Sequence, residues 1–92
     1  MQNKFIIGSV VKAITGRESD ELFVVTSINQ NYAMLVNGKT RKLEKPKRKN
    51  IKHIYLLLKE TPIKELLINN KATDAHIISL LKKYKNNELG GN

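Results

Sequence analysis

Apolar positions recur along this chain in two rhythms. Up to residue 58 they come in short runs rich in β-branched residues, and beyond residue 61 they fall at helical spacing. Residues 6–14 (IIGSVVKAI) and 21–28 (ELFVVTSI) each predict a strand, joined by the polar segment Thr15–Asp20 in which Gly16 supplies the turn. Residues 32–36 (YAMLV) predict a third strand, entered through Asn29-Gln30-Asn31, whose Asn side chains can bond their own main chain. Asn37-Gly38 then reads as a type I′ hairpin turn leading into a fourth strand from Lys39 to about Leu43. Pro46 cannot donate to a sheet ladder, so residues 45–50 are expected as an exposed loop or irregular strand, with residues 51–58 as a fifth strand.

The alternation also assigns faces. On the expected fourth strand Lys39, Arg41 and Leu43 alternate with Thr40, Lys42 and Glu44, so neither face can be dry and the strand belongs at a sheet edge. The second and third strands are apolar on both faces and need cover on their outer side. The C-terminal third offers it. Thr61-Pro62 reads as an N-cap followed by proline at the first helical position, opening a helix with Ile63, Leu66 and Leu67 that stops near Asn69-Asn70. Thr73 is expected to cap a second helix, with Asp74 in its first turn, a buried stripe of Ile77, Leu80, Leu81 and Tyr84, and Lys82, Lys83 and Lys85 near its C-terminal end. The expected chain is thus mainly β: four or five antiparallel strands in residues 1–60, a two-helix extension in 61–86 packed on them, and a disordered tail in 87–92.

Charge changes this picture most. Of a formal net charge of +9 in 92 residues, the stretch from Lys39 to Lys52 holds eight cations (Lys39, Arg41, Lys42, Lys45, Lys47, Arg48, Lys49 and Lys52) and one anion, Glu44. Residues 1–36 are neutral overall and residues 65–92 carry a net +1, so the asymmetry belongs to the middle third. Like charges crowded this way repel one another until a polyanion neutralises them, and nucleic acid is the usual one. A plain solvated face is the alternative, but the adjacent Lys47-Arg48-Lys49 have too few nearby anions to pair with.

Composition excludes other chemistry. With no cysteine there is no disulfide or thiolate ligand, and His53 and His76 alone cannot complete a zinc shell, so neither metal nor cofactor is expected. The acids are scattered, with no nucleophile–base spacing and no phosphate loop, which argues against an enzyme and against a small-molecule substrate. No apolar run approaches a membrane span and no cleavable leader is visible, so a cytoplasmic protein without membrane association is expected.

The segment Gly8–Val25 (GSVVKAITGRESDELFVV) resembles a KOW motif: a strand, a loop with a required glycine, here Gly16, and a second strand. The resemblance continues through Asn31-Tyr32, Asn37-Gly38, the run Lys39–Lys47 and the close Ile51-Lys52-His53, and is to the small KOW-domain RNA-binding proteins of Gram-positive bacteria. Those are related to archaeal and eukaryotic large-subunit ribosomal proteins. Where they carry a second loop glycine this chain has Asp20, which takes left-handed backbone at some cost. The resemblance implies an SH3-like small barrel of the KOW or translation-protein type. It also implies a partner in RNA, ribosomal RNA foremost, and beyond it ribosomal or transcription-complex proteins. The eight cations would be the phosphate contacts, with Lys12 on a strand beside the motif loop and Arg17 on that loop as additional ones. Tyr32 is a candidate for base stacking or for the rim, and His53 for a phosphate contact. A protein-interaction module with exposed β edges and a non-specific DNA-binding protein are the competing readings.

Overall fold

A computed structural model describes residues 4–16 and 20–90, and in residues 86–90 the backbone alone. It contains five antiparallel strands in one sheet followed by two helices: β1 (Val10–Ala13), β2 (Leu22–Ile28), β3 (Tyr32–Val36), β4 (Lys47–Asn50), β5 (Ile54–Leu58), α1 (Ile63–Ile68) and α2 (Asp74–Gly90). The sheet order β4-β3-β2-β1-β5 is a meander whose last strand returns beside the first. A 3₁₀ turn over Ile51–His53 links β4 to β5 and makes that return. At its start the Ile51 N–H donates to the Asn31 carbonyl, and at its end the His53 carbonyl accepts from Ile14 N–H. The result is a small, mainly β, barrel-like fold with two C-terminal helices.

Curvature is built in where the ladder slips. Between Val25 and Ser27 the register shifts, leaving Thr26 as an extra residue opposite β3, and β1 shifts against β5 between Val10 and Val11. Such bulges bend a strand and raise its twist, letting five short strands wrap around a core. Inside the wrap lie Val11, Ala13, Phe23, Val25, Ala33, Leu35 and Ile54, closed off by Phe5. On the outer face Val10, Val24 and Val36 stand in register across three strands. There they pack under Ile63, Ile77 and Leu81 of the two helices. The doubly apolar strands are therefore covered as expected.

Several local expectations are corrected. β1 begins at Val10, not residue 6, because residues 6–9 form a turn in which the Ser9 N–H donates to the Ile6 carbonyl and the Ile6 N–H to Ser9 Oγ. Residues 39–43 are not a strand, and the edge strand is Lys47–Asn50. Residues 51–53 are the 3₁₀ turn, so β5 is limited to Ile54–Leu58. Thr61 does not cap α1: its hydroxyl donates to the Gly8 carbonyl at 2.7 Å, although Pro62 has helical backbone (φ −62°, ψ −18°). Thr73 does cap α2, its Oγ1 accepting from His76 N–H while His76 Nδ1 accepts from Thr73 N–H, a reciprocal pair with histidine where a capping box has glutamate. α2 runs on to Gly90, so Lys82, Lys83 and Lys85 lie in its body and not in its last turn.

Candidate nucleic-acid interface

The basic stretch is the ten-residue connection between β3 and β4 together with β4 itself and the 3₁₀ turn. Its shape begins with Asn37. That side chain is 8 % exposed, and its Oδ1 accepts from three successive backbone N–H groups, Lys39 at 2.9 Å, Thr40 at 3.1 Å and Arg41 at 2.9 Å. Its Nδ2 donates to the Glu21 carboxylate and to Thr40 Oγ1. In turn the Arg41 carbonyl accepts from the N–H groups of Asn37 and Gly38. A type I′ turn needs positive φ at both central residues, and here only Gly38 (φ +83°) has it. The side chain of Asn37 replaces strand pairing as the partner for these donors, and the chain opens into a broad loop.

Two further contacts fix the loop on α2. The Leu43 N–H donates to Asp74 Oδ1 at 2.8 Å, and Leu43 packs with the helix-side apolar cluster. Gly38 lies so close to the helix that a Cβ there would be 2.7 Å from the Asp74 carbonyl oxygen and 2.7 Å from Ile78 Cγ1. From this anchored base Lys39, Lys42 and Lys45 project as exposed side chains, with Glu44 between them and Arg41 half-buried.

The remaining cations divide by face. Directly paired residues of antiparallel strands share a face. Lys47 and Lys49, opposite Leu35 and Ala33, therefore start on the inner side at the open edge of the barrel. Lys49 crosses that edge and its Nζ donates to the Thr15 carbonyl at 3.0 Å, a strut between β4 and the Gly16 loop. Arg48 lies on the outer face with its guanidinium 4.7 Å from the centroid of the Tyr32 ring, diagonal to it across the ladder. Tyr32 is exposed at the start of β3, and its ring already carries a cation. Lys52 and His53 are exposed on the 3₁₀ turn. Lys12 sits elsewhere, on the outer face of β1 between Leu22 and Tyr55. Arg17 lies outside the described residues. The fold therefore gathers Lys39, Lys42 and Lys45 on one loop, continues them with Lys47 and Arg48 along the edge strand, and places Lys12 off that edge, on the outer face of β1.

Gly16 has φ +86° as its turn requires, and Asp20 takes the left-handed backbone (φ +73°) at the second loop position. Among the described residues no three His, Asp or Glu side chains converge in a way that could hold a metal ion, and no helix is long and apolar enough to cross a membrane. Sequence reasoning missed Lys82 and Lys85, which join Lys12 and Lys39 around a groove beside α2. The signal is present in the sequence, since both flank the apolar stripe of that helix, but pattern alone attaches them to the helix terminus. No protein-family model and no curated protein sequence matches the chain.

Proposed function

We propose that this chain is a non-enzymatic RNA-binding protein that grips the phosphate backbone of a folded RNA, ribosomal RNA being the class favoured by the KOW-type resemblance of Gly8–Val25. The observation that carries the reading is the anchoring of the basic loop. Three backbone N–H groups held by Asn37, and Leu43 held by Asp74, fix the chain from which exposed Lys39, Lys42 and Lys45 project. A charge cluster needed only for solubility gains nothing from a fixed base, whereas a phosphate grip gains affinity when its loop is ordered before binding. Arg48 and Lys47 extend the same basic edge. Contacts of this kind read shape and charge, which is how double-stranded RNA is usually recognised.

The test is a gel shift of the full chain against a folded ribosomal RNA fragment, repeated with Lys39, Lys42 and Lys45 all changed to Gln. These side chains are exposed, so the variant keeps the fold. A loss of about 30-fold or more at moderate salt is expected from three released phosphate contacts. Unchanged affinity in the triple variant would overturn the reading. Competition with DNA of the same sequence tests the preference for RNA.

A further inference from the structure

Beside α2 the outer face of the sheet is not fully covered, and a groove of about 700 Å³ remains there. Its floor is aliphatic: Leu22 from β2, Leu57 from β5, and Ile78 and Leu81 from α2. Around the floor stand Lys12 from β1, Lys39 from the anchored loop, and Lys82 and Lys85 from α2. Ile78, Leu81, Lys82 and Lys85 fall at i, i+3, i+4 and i+7, so one helix face presents both the apolar wall and half of the cationic rim. Asp20, Glu21 and Asn37 complete the lining, and the Glu21 carboxylate is engaged by Asn37 Nδ2.

We infer that this groove docks an acidic amphipathic segment of a partner protein, apolar side chains seated on Leu22, Leu57, Ile78 and Leu81 and carboxylates facing the four lysines. The volume suits the few side chains that one face of a short helix inserts, since ligand-binding clefts run to about 300–1,000 Å³. An apolar floor within a cationic rim is the complement of a helix with apolar positions at i, i+3, i+4 and i+7 and acids beside them. Nucleic acid is the poorer fit. Among the described residues that line the groove there is no aromatic ring and no arginine on which a base could stack, and a sugar-phosphate backbone offers little apolar surface to bury there. The inference shares only Lys39 with the RNA reading, because Lys12, Lys82, Lys85 and the floor lie off the basic loop.

The experiment uses the full chain and a short fluorescein-labelled helical peptide with leucine at every third or fourth position and glutamate between, followed by fluorescence anisotropy. Saturable binding is expected, weakened about tenfold by the double change Lys82→Glu and Lys85→Glu. Both side chains are exposed, and an unchanged unfolding midpoint checks that the variant is folded. Replacing the peptide's leucines with glutamine, which leaves the protein untouched, is expected to lower affinity at least tenfold. Equal binding of the glutamine peptide means charge alone is at work and overturns the inference, as does equal binding by the double variant. Displacement of the peptide by folded RNA, together with an equal loss of RNA affinity in the double variant, assigns the groove to nucleic acid and also overturns it.

Discussion

The backbone N–H of Leu43 donates to Asp74 Oδ1 at 2.8 Å, tying the middle of the basic loop to the first turn of α2 across 31 positions of sequence. A carboxylate at that place also faces the positive end of the helix dipole. Changing Asp74 to Ala removes both interactions and is expected to cost about 1–2 kcal/mol in urea unfolding. Asp74→Asn keeps an acceptor oxygen without the charge and is expected to cost less. RNA affinity should fall several-fold in the alanine variant even though Asp74 is itself an anion. An affinity gain there, as simple removal of a negative charge would give, counts against the anchored-loop reading.

Two glycines with similar backbone separate conformation from packing. Gly38 (φ +83°) and Gly16 (φ +86°) both occupy the left-handed region, so an alanine at either costs about 1 kcal/mol for backbone alone. At Gly38 the added methyl also meets Asp74 O and Ile78 Cγ1, both 2.7 Å away, whereas at Gly16 it meets only the flexible end of Lys49 at 3.3 Å. Gly38→Ala is therefore expected to destabilise by about 3 kcal/mol or more, because the helix must shift. Thermal and urea unfolding of both variants, measured side by side, should show the larger loss at Gly38.

The parts of this fold that were legible in the sequence are those set by local pattern. The third strand is predicted and found at Tyr32–Val36, and the cover over Val24 and Val36 follows from their being apolar on both faces. The fourth strand is only partly legible: residues 45–50 read as a loop or irregular strand, while the regular strand is expected at 39–43 and lies at Lys47–Asn50. Asn37-Gly38 is a strong hairpin signal, but Asn37 spends its side chain on the donors of residues 39–41, and Leu43 pairs with a helix far along the chain, neither of which a local window contains. Edge character was read correctly and attached to the wrong residues, since it belongs to Lys47–Asn50. For the candidate site, the identity of the cations was plain from charge density, while their division between loop, strut and ring face depends on the ladder register. Lys49 illustrates this: as one lysine of a triplet it looks like its neighbours, yet its amine reaches the Thr15 carbonyl.

Asn37 is the keystone of the loop by hydrogen-bond count. Alanine there leaves the N–H groups of Lys39, Thr40 and Arg41 without their shared acceptor, a loss of roughly 2–3 kcal/mol at the net value of a hydrogen bond. The amides of residues 39–41 should lose protection from hydrogen exchange in this variant, while those of β1 and β2 keep theirs relative to global stability. Retained protection at 39–41 would mean that the loop is held by its contacts with α2 instead.

The salt dependence of RNA binding counts the phosphates held. If six cations of the stretch each neutralise one phosphate, log K against log salt has a slope of roughly −4 to −5, at 0.7–0.9 per contact. Changing Lys39, Lys42 and Lys45 to Gln is expected to make that slope shallower by about 2 to 3, one contact per side chain. Lys49→Gln should change it by much less, because its amine already donates to the Thr15 carbonyl, and should instead loosen the join between β4 and the Gly16 loop. The two effects are separable, since the first leaves the unfolding midpoint in place and the second lowers it. Equal slope changes per charge for Lys49 and for the loop lysines would show that the cations act as an undifferentiated cloud, and that the anchored loop has no special part in the grip.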